Sequence, residues 1–291
     1  MKLQDFNILY LNLDHRNDRL KWIQNELNRL NLLHRQNKIT KRISGVNGQQ
    51  LSNEVYAKKI AKEFGVPVEK MIADYWLSRK NFKTMCKAKT KILGKVGCTL
   101  GHLRAIKYVQ QHKLYPALIL EDDCLFLAKN NTTIRFPKPP ADSELFYLGG
   151  LFWHQVNPPP FVPKSTRWLK IDPKKLKLPC AYAYGFTKPS QVDNIVNLIT
   201  CVWKDGKGRD KPIDWRTGEE RIRMSIIDIQ FVNYVQGYGT AYVLHPVRAI
   251  QSADFTSDVT NFGGITPKNP YKHKYFYDDK EEEEAKKKYF S

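Results

Sequence analysis

Glu121-Asp122-Asp123 is the run of side chains in this sequence best suited to holding a divalent cation. Adjacent carboxylates repel one another unless a cation or a set of donors compensates them. A hard divalent metal supplies that compensation and can bridge to a diphosphate. The competing reading is a solvated acidic turn, because Asp and Glu are usually exposed. What precedes the triplet bears on the choice. Ala117-Leu118-Ile119-Leu120 is a short apolar run, suited to a strand covered on both faces. The acids therefore stand where a strand leaves its sheet, which is where ligands collect in open α/β sheets.

Other residues offer complementary chemistry. Asp214 and Asp228 are candidates for a base that takes the proton of an attacking hydroxyl, provided burial or a neighbouring acid raises the carboxyl pKa. A helix cap or a solvated acid is the plainer role for each. His245 is either a metal ligand, since neutral imidazole suits Mn²⁺ alongside carboxylates, or a hydrogen-bonded histidine at a strand end. His102 reads as a helix-face histidine or a ligand contact. Arg16 and Arg19 fall in the first turn of a helix, where positive charge opposes the helix dipole. A nearby anion accounts for them, and a solvated basic face is the alternative.

The elements that position these groups are legible from periodicity. Asn7–Leu13 reads as a first strand, with Asp14 placed to cap the helix after it. Leu20, Ile23, Leu27 and Leu30 form that helix's buried stripe. Arg42–Gly48 reads as a short strand running into a glycine-bearing turn. Leu100, Leu103, Ile106 and Val109 recur at helical spacing, and Tyr115-Pro116 stops that helix. Leu145–Gly150 and Pro179–Phe186 read as strands, and Pro189–Thr200 as a helix. After Gly150, the stretch through Pro158-Pro159-Pro160 to Lys177 has the make-up of a long ordered loop, with Trp153, Phe161 and Trp168 able to anchor it or to stack on sugar rings. A lysine-rich insertion near 53–91 reads as two helical pieces around Gly65 and Pro67, either a lid or a solvated face.

Taken together, ILYLNLDHRNDRL, RISGVNG, GCTLGHLRAI and ILEDD, in that order, resemble glycosyltransferase family 25, the lipopolysaccharide-biosynthesis and procollagen galactosyltransferase family. The resemblance runs from about Asn7 to Asp258. It implies an α/β fold of the GT-A type, a mixed central sheet with a Rossmann-like nucleotide half. It implies transfer of a hexose, galactose or glucose, from a UDP-sugar to a glycan or glycoprotein hydroxyl, with inversion and with Mn²⁺ or Mg²⁺ on Asp123 and Asp122. By the same resemblance Asn12, Asp14, Arg16, Arg19, Arg42 and Gly45 belong to the nucleotide end. Glu121 then reaches the ribose or a metal-side water, Asp228 (or Asp214) is the base, and a late histidine, His245, is a possible third metal ligand. Lys95 and Gly101 stand where the family carries an acid and a serine, a departure that bears on sugar or acceptor choice.

Composition is consistent with this and narrows the rivals. Against 48 Lys and Arg stand 29 Asp and Glu, a net charge of +19, which favours anionic partners such as nucleotide-bearing substrates or an anionic membrane surface. An inactive module of the same fold, binding an acidic glycan or a membrane, is the rival from another class. Specific nucleic-acid binding has only charge in its favour, since no recognition-helix or RNP-like pattern is present. Five cysteines without metal-ligand spacing read as reduced thiols. The first residues lack the apolar core of a signal peptide and no run is long enough to span a membrane, so a cytoplasmic location is expected. Residues 1–270 form the expected glycosyltransferase domain and 271–291 a charged tail, in which an acid block precedes lysines.

Overall fold

The computed structural model of the protein describes residues 1–65, 68–69, 72, 89–149, 153–154, 166–171, 176–178, 180–200, 227–236, 240–245, 247–252 and 255. Asp214, Phe161, residues 73–88 of the insertion and the 271–291 tail lie outside the described residues. In chain order the strands are β1 (Asn7–Asn12), β2 (Thr40–Ser44), β3 (Ala117–Glu121), β4 (Cys124–Phe126), β5 (Leu145–Tyr147), β6 (Trp153–His154), β7 (Arg167–Lys170), β8 (Leu176–Lys177), β9 (Ala183–Phe186), β10 (Ala241–His245) and β11 (Ala249–Gln251). The α-helices are α1 (Asn17–Arg29), α2 (Glu54–Phe64), α3 (Lys89–Gln111), α4 (Pro189–Thr200) and α5 (Ile227–Gln230).

Seven strands form one mixed sheet in the order β2-β1-β3-β9-β5-β10-β7. β1 runs parallel to both β2 and β3, so the carboxyl ends of these three strands open at one edge. β9 is antiparallel to β3 and β5, β10 runs parallel to β5, and β7 closes the far edge antiparallel to β10. The expected apolar strand is β3, and Ala117 through Leu120 are fully buried in the sheet's interior. This is a mixed α/β architecture, as the alternating periodicities predict.

α1 lies on the sheet through Ile23, Leu27 and Leu30, all buried. Its lower end is tied to the strand after the acidic triplet. Glu26 Oε1 accepts from Phe126 N at 2.7 Å, and Arg29 Nη2 donates to Phe126 O at 2.6 Å. One expectation about this helix fails. Its N-terminal flanking residue is Arg16, with no side-chain cap, and Asp14 turns instead to β2, accepting from Arg42 Nη2 at 2.5 Å and from Ser44 Oγ. A paired guanidinium and a hydroxyl from the adjacent strand outcompete a backbone N–H for this carboxylate.

The described part of the insertion is packed on the body of the protein. α2 is capped by Asn53, buries Ala57, Ile60 and Phe64, and ends at Gly65 in the left-handed region. Arg104 on α3 grips Glu63 through two bonds of 2.6 and 2.7 Å.

α3 buries the expected stripe of Leu100, Leu103, Ile106 and Val109 but begins eleven residues earlier than that stripe, at Lys89. Gly94, Gly97 and Gly101 thus sit inside a helix, where glycine costs about 1 kcal/mol each relative to alanine. Close packing against the turn after β2 explains Gly97. A Cβ there would lie 2.6 Å from Val46 O and 2.7 Å from Gly48 N. Gly97→Ala is expected to destabilise the protein by about 1–3 kcal/mol, the cost of overpacking, read as a lower urea midpoint at unchanged slope. An unchanged midpoint would mean that the helix can shift away without cost. No described helix is long and apolar enough to cross a membrane.

Candidate functional site

The carboxyl ends of β1, β2 and β3, with the first half of α3, enclose a cleft of about 640 Å³. β1 contributes Asn12, the turn after β2 contributes Gly45–Gln49, and β3 delivers Glu121 and the acids beyond it. From α3 come Gly94, Gly97, Cys98, Gly101 and His102, and Gln251 closes the wall at the end of β11. The small residues of α3 and the turn keep the floor low, so backbone rather than side chains forms much of the surface.

The acids are buried at the end of β3. Asp122 is 7 % exposed and Asp123 4 %. Arg19 Nη1 bridges them, at 2.7 Å from Asp122 Oδ1 and 3.0 Å from Asp123 Oδ2. The anion that explains a basic first turn is therefore, for Arg19, this carboxylate pair. Its guanidinium also lies 5.2 Å from the Phe255 ring centre, which covers it from the late part of the chain. Asn12 Nδ2 donates to Asp122 Oδ2 at 2.9 Å, while Arg42 Nε donates to Asn12 Oδ1 at 3.1 Å. Gln251 Nε2 donates to Asp123 Oδ2 at 3.1 Å, and Ser252 N donates to Asp123 O at 2.7 Å. The second oxygen, Asp123 Oδ1, is buried with no hydrogen-bond partner among the described residues.

Charge accounting sharpens the point. Glu121, Asp122 and Asp123 bring three carboxylates, and Arg19 is the guanidinium bonded to the buried pair. Burial, then the charge of Glu121, push the Asp123 carboxyl up to about 7 against the pull of Arg19. Burial likewise raises Asp122. An oxygen-rich, under-compensated set with one acceptor unpartnered among the described residues is of the chemical kind that fits a hard divalent cation.

The same shift makes a stability prediction. The native state binds the Asp123 proton more tightly than the unfolded chain, whose carboxyl has the ordinary value of 3.8. Stability from this group is thus fully present below about pH 4 and is lost as pH rises through about 7, by at most about 4 kcal/mol. Chelator-treated protein should show a lower urea midpoint at pH 8 than at pH 5.5. Asp123→Asn should flatten that difference, and a wild-type midpoint rising with pH would contradict the assignment.

Glu121 is held from the other side. His102 Nε2 lies 3.1 Å from Glu121 Oε1, and His102 Nδ1 lies 2.9 Å from Tyr184 Oη on β9. His102 is therefore buried at the base of the cleft. Asp228 sits half-buried on α5, whose first residue is fixed to α3 by Ile227 N donating to Thr99 Oγ1 at 3.1 Å. Asp228 does not line the cleft but feels it. Burial, then the charge of Glu121, raise its pKa to about 6, opposed by its own backbone N–H, His102 and Lys95.

The remaining candidates fall around this centre. Arg42 and Asp14 pair at the mouth, where the Ser44 hydroxyl and Arg42 overcome burial to hold Asp14 below its ordinary pKa. Arg16 turns outward to Asp18 at 2.8 Å, and Gly45 lines the cleft. His245 is not brought to the acids. It is buried at the end of β10, opposite Arg167 on β7, and burial, Arg167 and Arg248 all lower its pKa. Two residues that sequence reasoning left aside take part, Tyr184 and Cys98. Cys98 stands four residues before His102, a helical spacing that could have paired the two, whereas Tyr184 carries no local signal and is placed by β9 pairing with β3.

A comparison with curated proteins returned no match. Residues 6–177, well over half of the chain, match the model of a protein family described as glycosyltransferase family 25 (LPS biosynthesis protein). The matched stretch holds Asn12, Arg19, the cleft glycines, His102 and the acidic triplet, and it ends before Asp228, His245 and Gln251. The residues built into the cleft are thus largely the ones this match covers, and the chain belongs to glycosyltransferase family 25.

Proposed function

We propose that this chain transfers a hexosyl group, galactose or glucose, from a UDP-sugar to a hydroxyl of a glycan or glycoprotein acceptor, with inversion, on a fold of the GT-A type. The observation that carries the reading is the buried Asp122–Asp123 pair at the carboxyl end of β3, with Asp123 Oδ1 left without a partner among the described residues. A cleft of about 640 Å³ is in the range of sites that enclose small organic ligands. Mn²⁺ or Mg²⁺, held by Asp123 and Asp122, would neutralise the diphosphate and the charge of departing UDP.

The chain's own residues do the rest. Asn12 and Arg19 orient the two carboxylates, and Gln251 holds one oxygen of Asp123 while the other stays free of hydrogen bonds from the described residues. Backbone groups of the turn 45–49 and the glycines of α3 let a flat nucleotide approach closely. Asp228, with a pKa of about 6, is ionised at neutral pH yet basic enough to take the acceptor hydroxyl's proton as that oxygen attacks the anomeric carbon. The excess of positive charge supports peripheral contact with an anionic membrane at a cytoplasmic face.

The test is release of free UDP, screened over several UDP-sugars with and without Mn²⁺ and with a panel of saccharide acceptors. Metal-dependent release with one donor is the expected result. Absence of both release and calorimetric UDP–Mn²⁺ binding would sink the reading.

A further inference from the structure

We propose that Cys98, His102 and Glu121 form a binding site for a borderline-soft divalent cation of the zinc class, separate from the Asp122–Asp123 pair. One ligand atom from each of the three lies within 4.8 Å of the other two. Cys98 and His102 are four residues apart on α3, so both project from one face of the helix. Glu121 reaches them from the end of β3.

The hydrogen bonding of His102 accommodates a ligand role in one of its two neutral tautomers. Nδ1 lies 2.9 Å from Tyr184 Oη and Nε2 lies 3.1 Å from Glu121 Oε1. When Nδ1–H donates to Tyr184, Nε2 turns a lone pair toward a carboxylate oxygen. Two acceptors then face each other, and a cation satisfies both. A hydrogen bond from the outer ring nitrogen is also what orients metal-bound histidines generally. The 3.1 Å separation is close to the edge of about 3.3 Å spanned by nitrogen and oxygen ligands on tetrahedral zinc.

Donor type separates the two sites. Thiolate and imidazole select zinc-class ions, whereas an all-oxygen carboxylate pair suits Mn²⁺ or Mg²⁺. Three protein ligands leave a fourth position open, here toward the cleft that Cys98, His102 and Glu121 all line. On binding, the Cys98 S–H bond is replaced by a sulfur–metal bond and its proton passes to solvent. If the transfer reading above holds, an ion there stands in the nucleotide's cleft and zinc inhibits turnover. The binding site itself does not depend on that reading.

The experiment is a Co²⁺ titration of the full chain under a non-thiol reductant, followed by absorption. About one equivalent should generate a thiolate-to-cobalt charge-transfer band in the near ultraviolet with strong visible bands of a tetrahedral ion, and Zn²⁺ should abolish both. Cys98→Ser should lose the charge-transfer band while its circular dichroism stays that of the wild type. Asp123→Asn should keep the band. Tyr184→Phe should keep it at about 10–100-fold weaker affinity. Absence of the band in the wild type would overturn the proposal and assign Nε2–H as a simple donor to Glu121. Persistence of the band in Cys98→Ser would overturn it equally, by placing the sulfur ligand elsewhere.

Discussion

Asp123→Asn is expected to lower kcat for UDP release about a thousandfold or more while making the metal-free protein more stable at pH 8. Metal stabilisation of charge on the leaving diphosphate is worth several kcal/mol, and about 4 kcal/mol corresponds to three decades of rate. The substitution keeps the shape of the side chain, and its remaining oxygen can still accept from Arg19 and Gln251. What it removes is a buried negative charge whose pKa stands at about 7 and which costs stability when ionised. Loss of activity together with a gain in stability separates a metal-holding carboxylate from a structural one, whose removal would lower both. Initial rates over a Mn²⁺ titration, paired with urea melts, read the two effects. Undiminished kcat would remove Asp123 from the reaction.

Asp228→Asn is expected to lower kcat by about 10²–10⁴-fold, the usual worth of a positioned general base, with little change in the KM for the UDP-sugar, because Asp228 lies beside the cleft rather than in its lining. The wild-type profile of kcat/KM should climb to a limb near pH 6, where this carboxyl ionises, and then level off. The variant should lack that limb. The sign follows from the proton's direction: only the ionised carboxylate can accept, so activity is lost as pH falls through about 6. A variant within about threefold of wild type would move the role elsewhere. Glu121, which does line the cleft, is the next group to substitute.

The place of Asp123 at a strand end was legible in the sequence, and the reason is local; Asp228 was a candidate by resemblance, with Asp214 beside it. Ala117–Leu120 reads as a buried strand because nothing in it is polar, and an acid run straight after it must fall at the strand's carboxyl end. The stripe of α1 follows equally from helical spacing. What failed depended on distant partners. Asp14 looks like a helix cap until β2 brings Arg42 and Ser44 beside it. The apolar stripe places the start of α3 near Leu100, yet the helix begins at Lys89, with Gly97 seated against the turn after β2. Tyr184 gains meaning only when β9 pairs with β3 and its hydroxyl meets His102.

The pairing of β11 with β4 sets a limit on when this site can exist. Ala249, Ile250 and Gln251 lie against Phe126, Leu125 and Cys124, and Gln251 and Ser252 bond the side chain and backbone of Asp123. Residues 12, 19, 122 and 123 are all made long before residue 252. During vectorial synthesis β1, β2 and β3 can pair early, with Asn12 and Arg19 beside the acids, but Gln251 and Ser252 reach Asp123 only when nearly the whole of the described chain has left the ribosome. A nascent chain therefore holds no finished cleft in which to trap a nucleotide sugar. A stop codon between β10 and Ala249 should yield a product that keeps β1, β2 and β3 yet lacks the Gln251 and Ser252 bonds to Asp123.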